Sequence, residues 1–155
     1  MNYQIINYGI NFDHPHKTFH ENLIRDALQS NPNLYNWVGI YYFEHYLFPN
    51  IQGQDLVLGG FIGAPSPHIR ISLQKGICGR ALREERTVVV DDVNKHPDYL
   101  ACSLETKSEI VIPIFDASGK RAVAELDIDS HTLGAFVKEQ SKFLEDLVKN
   151  YQKYF

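Results

Sequence analysis

Cys102 stands in a polar stretch, Ala101-Cys102-Ser103-Leu104-Glu105-Thr106-Lys107-Ser108-Glu109, that opens into the apolar run Ile110-Val111-Ile112. A structural cysteine normally has apolar neighbours, whereas Cys102 has polar residues on its C-terminal side. It reads as a candidate redox thiol, with Glu109 at the mouth of the strand that follows. Cys78 is the second cysteine, in Gly76-Ile77-Cys78-Gly79-Arg80-Ala81-Leu82. That stretch reads as the start of a short helix, with Ile77, Ala81 and Leu82 inward. In a first helical turn, free amides and the helix dipole favour a thiolate; taken alone, Cys78 also fits a small core residue. The two cysteines are far apart and have no paired Cys or His at finger spacing, so a structural zinc site is not expected.

These residues need elements to position them. The helix expected from Thr18 carries the stripe Phe19, Leu23, Ile24, Ala27 and Leu28, with Thr18 and Glu21 at capping-box spacing, and it stops at Ser30-Asn31-Pro32. Residues 1–16 read as an irregular arm packed through Tyr3, Ile5, Ile6 and Tyr8. Leu34 to Phe48 reads as a strand, with Trp37, Gly39, Tyr41 and Phe43 on one face and Val38, Ile40 and Tyr42 on the other. Asp55 to Ile62 returns from it as a hairpin. Short strands follow at His68–Leu73 and Thr87–Val90, then an irregular excursion over 94–106. A second hairpin spans Glu109–Phe115 and Lys120–Asp129. Its second strand places Ala122, Ala124, Leu126 and Ile128 on one face and Val123, Glu125, Asp127 and Asp129 on the other. Carboxylates so aligned repel one another, and burial would require partners. The last helix, 136–155, turns Phe136, Phe143, Leu144, Leu147, Tyr151 and Tyr154 inward. The expected architecture is α+β: one antiparallel sheet, two long terminal helices on one face, and a loop-enclosed pocket on the other.

Composition narrows the functional classes. The 155 residues are 44% apolar and 22% charged, which suits one globular domain with a substantial core. The net charge of −4 is spread along the chain without a basic block, which argues against nucleic acid as a partner. The first residues lack a signal-peptide pattern, and no apolar run nears the roughly 18–20 residues of a membrane helix, so a cytoplasmic protein is expected with no membrane partner.

Several motifs recur together: Asn36-Trp37-Val38-Gly39-Ile40-Tyr41, Leu56-Val57-Leu58-Gly59-Gly60-Phe61, Arg70-Ile71-Ser72-Leu73, Lys75-Gly76-Ile77-Cys78-Gly79, Asp91-Asp92-Val93, Ala101-Cys102, Ser108-Glu109-Ile110-Val111-Ile112-Pro113 and Leu126-Asp127-Ile128-Asp129-Ser130. In order and spacing they resemble a GAF domain, and more specifically the free methionine-(R)-sulfoxide reductases, over about residues 18–152 of a single domain. The resemblance implies that Cys102 attacks the sulfoxide sulfur, leaving a sulfenic acid. It implies that a second thiol then forms a disulfide, which thioredoxin reopens. Trp37 and Tyr41 match the wall around the substrate's methyl end. Glu109, Asp127 and Asp129 match the acids that hold its amino group and assist protonation of the oxygen. No bound cofactor is implied; relatives often form homodimers.

The sequence departs from the pattern at two places. The family often has a third cysteine ten residues before Cys78, where this chain has His68. Resolution of Cys102 therefore falls to Cys78 or to an external thiol, or else the activity is lost. Glu125 stands where relatives usually have an apolar residue. The alternative function is a non-catalytic GAF module that kept the pocket for a small ligand, and a third is an interaction domain that pairs through its terminal helices.

Overall fold

Period-two alternation in the strands sorts the side chains onto two sheet faces, and the two faces have different fates. The computed structural model describes residues 4–7, 13–101 and 103–155. Its elements in chain order are β1 (Ile6–Asn7), α1 (Lys17–Ser30), β2 (Trp37–Phe43), α2 (Glu44–Leu47), β3 (Asp55–Ile62), β4 (Arg70–Ser72), α3 (Gly76–Glu84), β5 (Val88–Val90), β6 (Ser108–Phe115), β7 (Ala122–Ser130) and α4 (Lys138–Tyr151). The strands form one antiparallel sheet in the order β1-β3-β2-β7-β6-β5, with β4 paired to β3. Pro113 lies in β6 beyond the residues that pair with β5, a local edge where a missing amide is tolerated. No helix among the described residues is long and apolar enough to cross a membrane.

One face is covered by the two long helices. Val38, Ile40 and Tyr42 of β2, Ile110, Ile112 and Ile114 of β6, and Ala124, Leu126 and Ile128 of β7 pack there against Leu23, Ile24, Ala27 and Leu28 of α1 and Leu144 and Val148 of α4. The other face carries Trp37, Tyr41, Leu58, Phe61 and Val111 beneath Ile77, Cys78, Ala81 and Leu82 of α3. The expected α+β layering holds, and the long helices lie on the face away from Trp37.

Several local expectations differ. The N-terminal arm contributes a strand: Ile6 and Asn7 pair with Phe61 and Gly60. Tyr3 and Tyr8 lie outside the described residues. Helix α1 begins at Lys17 after His16, which makes no side-chain cap, so the Thr18–Glu21 capping box is not formed. Phe19 is largely exposed, stacked on Tyr154, while His20 takes the buried place beside it. The aromatic strand ends at Phe43, where α2 turns Glu44 inward to an ion pair with Arg70. A register shift at the β6–β7 turn end reverses the first two residues of β7: Val123 joins the helix-side core and Ala122 the other. Helix α4 closes at Tyr151, followed by a 3₁₀ turn at Gln152–Tyr154, and Phe143 is 53% exposed instead of buried.

His20 ties the ends of the chain to the sheet. Its Nε2 lies 2.8 Å from the carbonyl of Tyr154, so that nitrogen carries the proton and donates. Its Nδ1 then accepts from the Tyr42 hydroxyl at 2.8 Å, and Phe155 stacks on the ring. Burial lowers its pKa to about 4, opposed by the bond to Tyr154. The neutral ring is therefore the folded form. Unfolded His20 binds a proton near pH 6.5, so its contribution to stability is complete above that pH and is lost as the pH falls toward 4. Between pH 7.5 and 4, wild type should lose on the order of 3 kcal/mol more stability than His20→Gln in urea denaturation. Equal losses in the two proteins would remove His20 as the titrating group.

Candidate active site

The site is built by register. Strand β7 pairs with β2 on one side and β6 on the other, so Asp129 stands opposite both Trp37 and Glu109. One pleat along, Asp127 stands between Gly39 and Val111, and Glu125 stands between Tyr41 and Pro113. All of these residues point to the face covered by α3. Glycine at 39 is required by the aromatic wall: a Cβ there would lie 2.3 Å from a carbon of the Trp37 ring. The indole stacks on Phe61 with ring centres 5.4 Å apart, and its Nε1 donates to the carbonyl of Ala64 at 3.1 Å. Tyr41 lies 6.4 Å from it by ring centres and donates its hydroxyl to the carbonyl of His68 at 2.6 Å.

Trp37 and Asp129 border a cavity of about 70 Å³, together with Ala64, Ser66, Thr106 and His131. Tyr41, Glu109 and Asp127 lie deeper, beside that cavity and not in its lining. Ser66, Thr106 and His131 were not singled out in the sequence; the only signal they gave was adjacency to the motifs. Cys102 lies outside the described residues. The residue before it is placed by His68, whose Nε2 donates to the carbonyl of Ala101 at 3.1 Å. The position where relatives often have a third cysteine is thus beside the Cys102 loop.

The electrostatics overturn two expectations. Glu109, Glu125, Asp127 and Asp129 are all buried, none more than 5% exposed, although side-by-side carboxylates were expected to need partners. Among the described residues no lysine, arginine or histidine forms an ion pair with any of them. Burial raises the pKa of each, and mutual repulsion with Asp127 adds to the shift at Glu109, Glu125 and Asp129. At neutral pH the group therefore retains protons. Cys78 is the second correction. Its position in the first turn of α3 suggested a stabilised thiolate, but its Sγ lies 3.6 Å from Asp127 Oδ2, with the thiol donating. Burial, followed by the charges of Asp127, Glu125 and Glu109, pushes its pKa well up. The tertiary environment outweighs the local helix end.

Glu125 is the most costly member, because neither of its buried oxygens has a hydrogen-bond partner among the described residues. Folded Glu125 keeps a proton that the unfolded chain loses above about pH 4.5, so its cost to stability grows as pH rises from there. Glu125→Leu should stabilise the protein at pH 8 by about 1–3 kcal/mol, and by less at pH 5. Denaturant titrations at both pH values check this; a gain independent of pH would assign it to packing alone.

Comparison with known proteins agrees with this layout. The GAF domain family model matches residues 23–150. GAF domain-containing protein A of Dictyostelium discoideum is 36% identical over 123 residues, covering 79% of this chain and 71% of that protein. The free methionine-R-sulfoxide reductase of Saccharomyces cerevisiae is 39% identical over 114 residues, covering 74% of this chain; the match spans 59% of the yeast protein. Among solved structures, the free methionine-R-sulfoxide reductase of Neisseria meningitidis in complex with its substrate superposes with a TM-score of 0.76 at 35% identity, over 88% of this chain and 77% of that one. The family match covers most of the chain, and the sheet with its two differently covered faces is the GAF fold: this protein belongs to the GAF domain family.

Proposed function

We propose that this chain reduces free L-methionine (R)-sulfoxide to methionine. The observation that carries the reading is the single row Trp37–Asp129–Glu109 across three strands, with Asp127 one pleat away. It sets an aromatic surface beside buried acids that lack a cation. A thioether methyl suits the first, and an amino acid's ammonium suits the second. Relatives that bear this activity in their names support the same reading.

In the proposed reaction the Cys102 thiolate attacks the sulfoxide sulfur. A protonated member of the acid group, which burial keeps available near neutral pH, protonates the sulfoxide oxygen. The oxygen ends on Cys102 as a sulfenic acid and methionine leaves; the substrate sulfur gains the two electrons that the cysteine sulfur gives up. A second thiol then condenses with the sulfenic acid, releasing water and forming a disulfide, and a thioredoxin-type dithiol reduces it. Cys78 and an external thiol are the candidates for that second thiol. The raised pKa of Cys78 makes it a weak nucleophile and favours the external one. The cavity of about 70 Å³ is well below the roughly 300 Å³ at which small-molecule pockets begin, so substrate entry requires it to widen.

The test is methionine released per chain in a single turnover. Wild type should release about one equivalent from the free R epimer, and Cys102→Ser none. The N-acetylated substrate, which leaves the acids without their cation, should be used roughly 5- to 150-fold less well, equivalent to about 1–3 kcal/mol. Release from Cys102→Ser would end the enzymatic reading. Binding of the sulfoxide by wild type without any release would favour a ligand-binding module.

A further inference from the structure

Cys78 of α3, Glu109 of β6 and Asp127 of β7 present one sulfur and two carboxylate oxygens within 4.8 Å of one another. They come from three separate elements, so the spacing rule that argues against a zinc finger in this sequence has no bearing on them. We propose that these three side chains form a binding site for a thiophilic divalent cation of the zinc class.

The geometry suits that ion. Zinc bonds of about 2.3 Å to sulfur and 2.0–2.2 Å to oxygen, at a tetrahedral angle, separate the two donors by roughly 3.6 Å. Cys78 Sγ and Asp127 Oδ2 are 3.6 Å apart. Bringing Glu109 into the same shell takes side-chain adjustment of roughly 1 Å. A thiolate among carboxylates selects zinc-like ions over magnesium or calcium, which prefer oxygen alone.

A separate observation points to a cation at this place. Asp127 Oδ1 and both oxygens of Glu125 are buried and have no hydrogen-bond partner among the described residues. Glu125 is near enough to Cys78 to act on its charge. Asp129 borders the cavity one pleat from Asp127. On binding, Cys78 gives its thiol proton to solvent and ligates as thiolate, with no change in oxidation state. If the chain acts on an amino acid as proposed above, the ion and the substrate ammonium compete for Glu109 and Asp127, and the ion inhibits.

Cobalt(II) tests the site without reference to activity, because a thiolate ligand gives a sulfur-to-cobalt charge-transfer band that histidine and carboxylate sites lack. The background is reduced Cys102→Ser, which leaves Cys78 as the sole thiol. It should bind one cobalt with that band, and zinc should abolish the band by displacement. The band should vanish in the Cys102→Ser, Cys78→Ser double variant. Should that variant fail to fold, Cys102→Ser with Glu109→Gln serves: it should keep the band but bind cobalt at least tenfold more weakly. Absence of the band from Cys102→Ser, its persistence without Cys78, or unchanged affinity with Glu109→Gln would overturn the proposal. None of these outcomes depends on whether the chain reduces a sulfoxide.

Discussion

Four carboxyl groups buried on one sheet face, without a basic partner among the described residues, set the terms for the rest of the fold. Glu125, Asp127 and Asp129 follow one another at every second residue of β7, and Glu109 joins them from β6. Water would solvate them well, and covering them is unfavourable unless they stay protonated or meet a cation. Cover is supplied by α3, whose Cys78 meets Asp127. The compensating burial lies on the opposite face, where the intervening residues Ala124, Leu126 and Ile128 sit in the large core under α1 and α4. One strand therefore does two jobs through its pleat: its even positions anchor the domain, and its odd positions bury acids whose protons that burial retains.

This two-sided character explains what was legible in the sequence. A pleat has a fixed period, so alternation in β2 and β7 alone separated Trp37, Gly39 and Tyr41 from Val38, Ile40 and Tyr42, and Asp127 and Asp129 from Leu126 and Ile128. Alternation failed at Val123, where a register shift breaks the period. It failed again past Phe43, where the aromatic run continues but Glu44 finds Arg70 and the chain turns helical. Ends and exposures were less legible than faces. No local pattern predicts that His20 will find Tyr42 and the carbonyl of Tyr154, or that Phe143 will be left in solvent. Cys78 is the clearest case: its local signal, a helix start, has the opposite sign from its surroundings, which come from residues 31 or more positions away.

The aromatic wall depends on absences as much as on rings. Gly39 keeps the strand clear so that the indole of Trp37 can lie against Phe61, and the same bare position stands opposite Asp127. Gly63, with φ of 136°, does the same from the loop, since a Cβ there would lie 2.6 Å from the Trp37 ring. Both glycines thus serve the shape of the wall, and the second also takes a backbone angle that side chains disfavour.

His68 connects this wall to the thiol loop. The Tyr41 hydroxyl, fixed in the sheet, holds the carbonyl of His68, and the His68 ring holds the carbonyl of Ala101. Two hydrogen bonds therefore run from a rigid strand to the residue beside Cys102. A cysteine at position 68 would offer a redox partner but no donor of comparable length for that carbonyl. Histidine supplies that donor, and the loop is tethered through it at Ala101.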